Sequence, residues 1–344
     1  MDAREALSIV AGGRSLTRAE AEGAMTSVMA GEATPAQLGG LLAALAIRGE
    51  TADEIAGFAS AMRAQALRVE GLEDAVDIVG TGGSRVDPFN ISTVSSVVAA
   101  AAGARVAKHG NRAASGKCGS ADVLEALGVR IDLGPAEIAA CVREAGVAFM
   151  FAPRFHPAMR HAGPVRRELG IRTVFNILGP LANPASVRRL VLGVARPLIG
   201  DIIARALADL GVEHALVVHG EDGLDDITPT GATRVWEIRR GSVTETSVTP
   251  ESAGLERGAV ADILSGDAAA NAATARAILG GEPGARRTAV LLNAGAGVYV
   301  AGLARSIPEG VQLAAKAIDS GAATQRLDRF VATSQRLAAE AATA

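Results

Sequence analysis

The chain has 344 residues, 49% hydrophobic, 21% charged and only 3% aromatic, with a formal net charge of −3. That length and apolar content suffice for one large or two ordinary domains with an aliphatic core and exclude a disordered tail; the mild negative charge argues against a broad nucleic-acid footprint, which needs clustered Lys and Arg. Two cysteines, Cys118 and Cys141, are too few for a disulfide framework and fit a reducing compartment.

The N-terminus, MDAREALSIV, carries acidic residues and no long apolar core, so it does not read as a secretory signal. The first seventy residues then hold three helix-start signals, Thr17 with Glu20, Thr34 with Gln37 and Thr51 with Glu54. In each, the hydroxyl and the acid or amide satisfy each other's free backbone donors. Pro35 suits a first helical position, and Gly31 and Gly49 sit where C-terminal caps belong. Leu38, Leu41, Leu42 and Leu45 recur at helical spacing, so this segment is expected to be a helical scaffold or a dimer surface.

From about Ala75 the pattern changes. AVDIVG is a short apolar run ending in glycine and reads as a buried strand, followed by a glycine-rich turn and a helix from Ile91. RVAKHG reads as a second strand, and the next helix, with Ser120 as its candidate cap, stops at Gly128. FMFAP, HALVVHG and TAVLLNAGAG read as further strands. Strands alternating with helices imply a mostly parallel sheet covered on both faces, with ligands beyond the carboxyl ends of the strands. The apolar stretch from Ala289 to Ala304 is interrupted by Asn293 and glycines and falls short of the roughly 18 apolar residues of a membrane span, so no membrane association is expected.

Five polar motifs lie at the predicted strand ends. Asp77-Ile78-Val79-Gly80-Thr81-Gly82-Gly83 delivers a strand into a loop whose backbone N–H groups could approach a pyrophosphate, although it is neither a Walker nor a dinucleotide fingerprint, and a structural turn is the alternative. Phe89-Asn90-Ile91-Ser92-Thr93 opens a helix, either as an ordinary cap or as an anion site. Lys108 to Ser120 crowds two lysines, an arginine and a histidine into a glycine-rich loop, a cationic pocket suited to several phosphates. Cys118 lies within it, but no partner base accompanies it as a nucleophile. Asp222, Asp225 and Asp226 place three carboxylates within five residues, as a magnesium site or a solvated acidic turn. The stretch from Phe155 to Pro184 supplies Arg166 and Arg167, either of which could grip a carboxylate bidentately.

These residues, in this order, resemble the anthranilate phosphoribosyltransferases. The likeness is carried by DIVGTGG, FNIST, KHGNRAAS with GSADVLEALG, FAPRFHPAMRHAGPVRRELGIRTVFNILGPLANP, and VVHGEDGLDD, and it runs through almost the whole chain. The resemblance implies an α/β protein of the nucleoside phosphorylase/phosphoribosyltransferase-like fold. A small helical domain (residues 1–70 plus about 167–188) forms a homodimer beside a larger α/β domain (71–166 and 189–344) with a mostly parallel central sheet. It implies a cytoplasmic, Mg²⁺-dependent enzyme of tryptophan biosynthesis that joins anthranilate to phosphoribosyl pyrophosphate.

Carried over position by position, Gly80, Gly82, Gly83 and Ser84 would lie along the phosphoribosyl donor. Asn90, Ile91, Ser92 and Thr93 would hold its phosphates, with Ser92 also on magnesium. Lys108, His109, Gly110, Asn111, Arg112, Ala113, Ala114, Ser115 and Gly116 would line the diphosphate side, with Ser120 on phosphate or metal-bound water. Gly80, Asn111 and Arg166 would contact anthranilate, and Asp225 and Asp226 would hold the metal. His109 is a candidate assistant to the attacking amine. Three positions depart from the family pattern: Ser84 replaces the usual Asp, Pro88 the usual Thr, and Asp226 the usual Glu. Altered substrate or metal affinity is expected from them, with activity retained. The rivals are a pyrimidine nucleoside phosphorylase of similar architecture and a non-enzymatic nucleic-acid-binding relative. The intact diphosphate loop and the negative charge count against the second.

Overall fold

The computed structural model describes residues 1–113 and 116–343. It opens with helices α1 (Ala3–Ala11), α2 (Arg18–Ala30), α3 (Pro35–Arg48) and α4 (Ala52–Ala64). The three expected capping boxes are present, with Pro35 at the start of α3 and Gly31 and Gly49 at the C-caps. A fourth box, Asp2 with Glu5, starts α1, which the sequence reading did not separate as a helix. Glu54 does more than cap α4. It is fully buried and accepts hydrogen bonds from Leu16 N (2.8 Å), Thr51 N (2.9 Å) and Arg48 Nη2 (2.5 Å), tying three helices together.

The α/β part runs β1 (Val76–Gly80), α5 (Ile91–Ala101), β2 (Val106–Gly110), α6 (Ser120–Ala126), α7 (Pro135–Ala145), β3 (Val147–Phe151), α8 (Ala152–Phe155), α9 (Gly163–Leu169), α10 (Phe175–Leu181), β4 (Arg189–Gly193), α11 (Gly200–Asp209), β5 (His214–Gly220), β6 (Thr233–Arg239), β7 (Ser242–Val248), α12 (Ala268–Leu279), α13 (Ala285–Val300), α14 (Ile307–Asp319) and α15 (Ala322–Thr343). The sheet order is β3-β2-β1-β4-β5-β6-β7, parallel through β5 and antiparallel in β6 and β7. The strand order reverses beside β1, and in such sheets that crevice receives the ligand.

Both faces of the sheet are covered. Val191 and Leu216 point into a core shared with α5 and α12–α15. Leu190, Leu192 and Val217 point into a second core shared with α1–α4, α10 and α11. Period-two alternation with both sides apolar is why the central strands read as continuous hydrophobic runs.

Two sequence expectations are corrected. TAVLLNAGAG is not a strand but the interior of α13, sixteen residues long and buried almost throughout. A fully buried helix lacks a polar face, so its apolar run looks like a buried strand until its length is considered. Ser120 is not the cap of α6. It is the first helical residue after Gly119, and Asp122 turns back to accept from Gly119 N (2.8 Å) and Ala113 N (3.1 Å). Among the described residues no helix is long and apolar enough to cross a membrane.

Candidate active site

Two adjoining cavities open at the carboxyl ends of β1 and β2. The first, about 470 Å³, is lined by every donor-side and metal residue named from the sequence that lies among the described residues: Gly80 to Ser84, Asn90 to Thr93, Lys108 to Ala113, Gly116, Ser120, Asp225 and Asp226. Ala114 and Ser115 lie outside the described residues. The second, about 740 Å³ and more apolar, is lined by Met62 of α4, Pro157, Met159, Arg160, Arg166, Arg167 and Phe175. Gly80, His109, Gly110 and Asn111 form a wall common to both.

The floor of the first cavity is a buried charge network. Asp77, inside β1, accepts from His109 N through both oxygens (3.3 Å each) and from Asn183 Nδ2 (2.8 Å). Burial pushes its carboxyl up to about 6 against the pull of Lys108. Lys108 Nζ donates to Ile78 O (2.5 Å) and Ser92 Oγ (3.2 Å), and burial holds its pKa below the usual lysine range despite Asp77 and Asp226. Thr93 presents a buried hydroxyl with no hydrogen-bond partner among the described residues. A buried, unmatched polar atom beside a cavity is what a ligand group would satisfy.

Asn90 starts α5 without capping it. Its Nδ2 donates to Cys118 O (3.0 Å) and its Oδ1 accepts from Asn271 Nδ2 (2.9 Å). The side chain therefore bridges the loop after β2 to α12 rather than the helix N-terminus. Arg112 also departs from its expected role. Its guanidinium turns to Glu125 (2.5 Å) and Asp122 (2.9 Å) and stacks 5.5 Å from the Phe151 ring. Ser120 Oγ donates to Asn111 O (3.0 Å), closing the same loop. Cys118 is buried, and burial raises its thiol pKa, the opposite of an activated nucleophile.

The acidic loop divides its labour. Asp222 accepts from the hydroxyls of Thr228 (2.6 Å) and Thr230 (2.7 Å) and from Leu224 N (3.2 Å), so it shapes the loop. Asp225 accepts from Gly82 N (2.6 Å) and from the Ser84 hydroxyl. Gly193 permits this approach, because a Cβ there would collide with the Asp225 carbonyl. Burial and the adjacent Asp225 drive the Asp226 carboxyl well above its usual range, with Lys108 opposing. Two neighbouring carboxylates in a polar cavity suit a divalent cation that takes one or two carboxylates and completes its shell with phosphate and water. No larger cluster of metal-ligating side chains occurs among the described residues.

On the shared wall, His109 Nδ1 pairs with Gly179 O (3.1 Å) while its Nε2 is buried without a partner among the described residues. His156 packs 5.1 Å away with the same unpartnered Nε2. Burial lowers both, to about 3 for His109 and about 4 for His156, so both rings are neutral near pH 7. If each proton sits on Nδ1 toward a backbone carbonyl, each Nε2 is an acceptor. Arg166 projects into the second cavity from α9, 5.2 Å from the Phe175 ring, with its pKa lowered by burial.

Family models describe the same division of the chain: "Glycosyl transferase family, helical bundle domain" matches residues 4–66, and "Glycosyl transferase family, a/b domain" matches 72–324. The anthranilate phosphoribosyltransferase of Afipia carboxidovorans is 52% identical over 97% of this chain and 99% of its own length. That of Thermomicrobium roseum is 54% identical over 96% and 97%. The chain belongs to the anthranilate phosphoribosyltransferase family. The solved family member from Thermus thermophilus superposes with a TM-score of 0.91 at 46% identity, covering 97% of this chain and 100% of that one. The Saccharomyces cerevisiae enzyme, solved in complex with PRPP and Mg, superposes at 0.88 with 26% identity over 96% and 98%.

Several residues that line or brace these cavities were not singled out from the sequence. His156 and Arg172 lie inside a motif that was recognised, but nothing local distinguishes them there. Asn271 had no signal at all, since its contact with Asn90 spans 181 positions. The loop just before α12 also forms an isolated antiparallel bridge with Pro88, where Phe89 N donates to Ile263 O (2.9 Å) and Ser265 N to Asp87 O (2.8 Å).

Proposed function

We propose that the chain transfers the phosphoribosyl group of 5-phosphoribosyl 1-pyrophosphate to the amine of anthranilate, giving N-(5-phosphoribosyl)anthranilate and pyrophosphate in tryptophan biosynthesis. The observation that carries this reading is the shared wall. A polar cavity built for a polyanion touches an apolar cavity bearing Arg166, and the boundary is formed by Gly80, His109 and Asn111.

In this reading the glycine loop through Ser84, the start of α5 and the loop from Lys108 to Gly116 hold the donor, with Thr93 and Ser120 offering hydroxyls. Arg166 grips the anthranilate carboxylate, and Gly80 and Asn111 flank its ring. Asp225, Asp226 and Ser92 hold Mg²⁺, which when bound supplies positive charge against the departing pyrophosphate. Lys108 adds charge from the cavity floor. The anomeric carbon gains oxocarbenium character as its bond to pyrophosphate breaks, and the aromatic amine attacks. Such an amine needs little activation, so positioning and electrostatics supply most of the rate. The neutral His109 Nε2 can accept an amine hydrogen, orienting the nucleophile. A homodimer formed through the helical domain, the return of residues 167–188 to that domain and a cytoplasmic location complete the reading. Packing of α9 and α10 in one core with α3 and α4 supports that return.

The test is a set of three variants. Lys108→Ala and Asp225→Ala should each lower kcat/KM for the donor by about a hundredfold or more. Arg166→Ala should raise the anthranilate KM about tenfold or more with the donor KM unchanged. An unchanged anthranilate KM would remove Arg166 from its role. Phosphorolysis of uridine or thymidine by the wild type would instead favour the nucleoside phosphorylase.

A further inference from the structure

One short segment touches both cavities. α9 carries Arg166 into the acceptor cavity, and α10 holds His109 through the Gly179 carbonyl. Between these helices Arg172 reaches back to the glycine loop. Its Nη2 donates to Gly82 O at 2.9 Å and more loosely to Thr81 O at 3.5 Å. The guanidinium packs against Gly83. A Cβ at Gly83, where φ is +79°, would collide with Arg172 Nη1.

The consequence follows from peptide planarity. In a trans peptide the C=O and the following N–H point in opposite directions. The loose contact with Thr81 O is therefore compatible with the Gly82 N–H pointing the other way, where it donates to Asp225 Oδ2 at 2.6 Å. The bond to Gly82 O turns Gly83 N–H away from Arg172. One side chain thus bears on the aim of two loop donors and on the seat of Asp225.

We propose that Arg172 is a positioning residue that couples acceptor binding to donor binding: occupation of Arg166 steadies the segment that keeps the glycine loop in its donor-binding form. This rests on the transfer reading above. Because coupling is reciprocal, the donor must tighten the acceptor by the same factor.

The experiment measures donor affinity by calorimetry in Mg²⁺ buffer, with and without saturating ortho-toluate, which keeps the ring and carboxylate but lacks the amine. Wild-type turnover of anthranilate is measured first, so a failed reaction assignment is seen separately from failed coupling. Ortho-toluate should tighten the donor about fivefold or more in the wild type. Arg172→Ala should bring that factor within about twofold and raise the donor KM about tenfold, and by reciprocity the anthranilate KM at saturating donor should rise only by the coupling lost, up to about fivefold. Arg172→Lys keeps the charge and a nitrogen donor but loses the guanidinium packed against Gly83, so it should recover part of the donor affinity and little of the coupling. Should Arg172→Ala fail to fold, Arg172→Lys alone decides. Full coupling in either variant, or none in the wild type, overturns the proposal.

Discussion

The hydroxyl of Ser84 donates to the carboxylate of Asp225, one of the two acids proposed to hold magnesium. Where the family pattern has a third carboxylate, this chain has a donor that occupies a metal-binding oxygen. A cation on Asp225 competes with that hydrogen bond for the carboxylate's electron density. One such bond is worth about 1 kcal/mol net, a factor of about five. Ser84→Ala should therefore lower the Mg²⁺ concentration for half-maximal rate up to about fivefold. A Mg²⁺ titration of the initial rate reads this directly, and a rise would show that Ser84 helps hold the cation.

Asn271 should matter to the donor although it is remote from the motifs. Removing it leaves Asn90 Oδ1 without its partner and loosens the tie to Cys118 O. Asn271→Ala is expected to raise the donor KM about tenfold, the effect of losing a buried hydrogen bond. The anthranilate KM, measured at saturating donor, should stay within about twofold.

His156 gives a pH signature. Its folded pKa, about 4, lies below the ordinary histidine value of 6.5. Between those values the unfolded chain binds a proton that the native ring refuses, so stability is lost as pH falls through this window. The full linkage is about 3 kcal/mol. His156→Gln abolishes it, so the variant should gain on the wild type as pH drops from 7 to 4. Urea unfolding at pH 7, 5 and 4 in chelator tests this, and a pH-independent difference would mean that the ring is not held neutral.

Glu54 joins α4 to the preceding helices through two backbone donors and Arg48. Truncation leaves the buried Leu16 N and the part-buried Thr51 N unmatched and removes the carboxylate partner of Arg48. Glu54→Ala should cost about 3 kcal/mol, measured from the denaturant midpoint with the slope unchanged.

How far these features could be read from the sequence depended on range. Capping boxes at Thr17, Thr34 and Thr51 are local chemistry and were legible. So were the strands ending at Gly80, Gly110 and Gly220, because an apolar run bounded by glycine needs no tertiary knowledge. β4 was missed although RLVLG also ends in a glycine, because its start falls within the Arg188-Arg189 pair, which hides the beginning of the apolar run. β7 went unread because its polar residues are exposed at the sheet edge, and β6 because its buried Val235, Trp236 and Ile238 are interspersed with Arg234, Glu237 and Arg239. The helix at Ala285–Val300 was misread because burial on all sides erases amphipathic period. Motif residues fell into one cavity as grouped, yet the outward turn of Arg112 and the Asn90–Asn271 bridge depend on partners that sequence order does not bring together.

Anthranilate fluorescence is the most direct observable for the proposed reaction. Purified protein is mixed with anthranilate, phosphoribosyl pyrophosphate and Mg²⁺, and the signal is followed against controls lacking donor or metal. Fluorescence should fall only in the complete mixture, with one pyrophosphate released per anthranilate consumed. A constant signal from folded protein, with both substrates in excess, would end the anthranilate assignment.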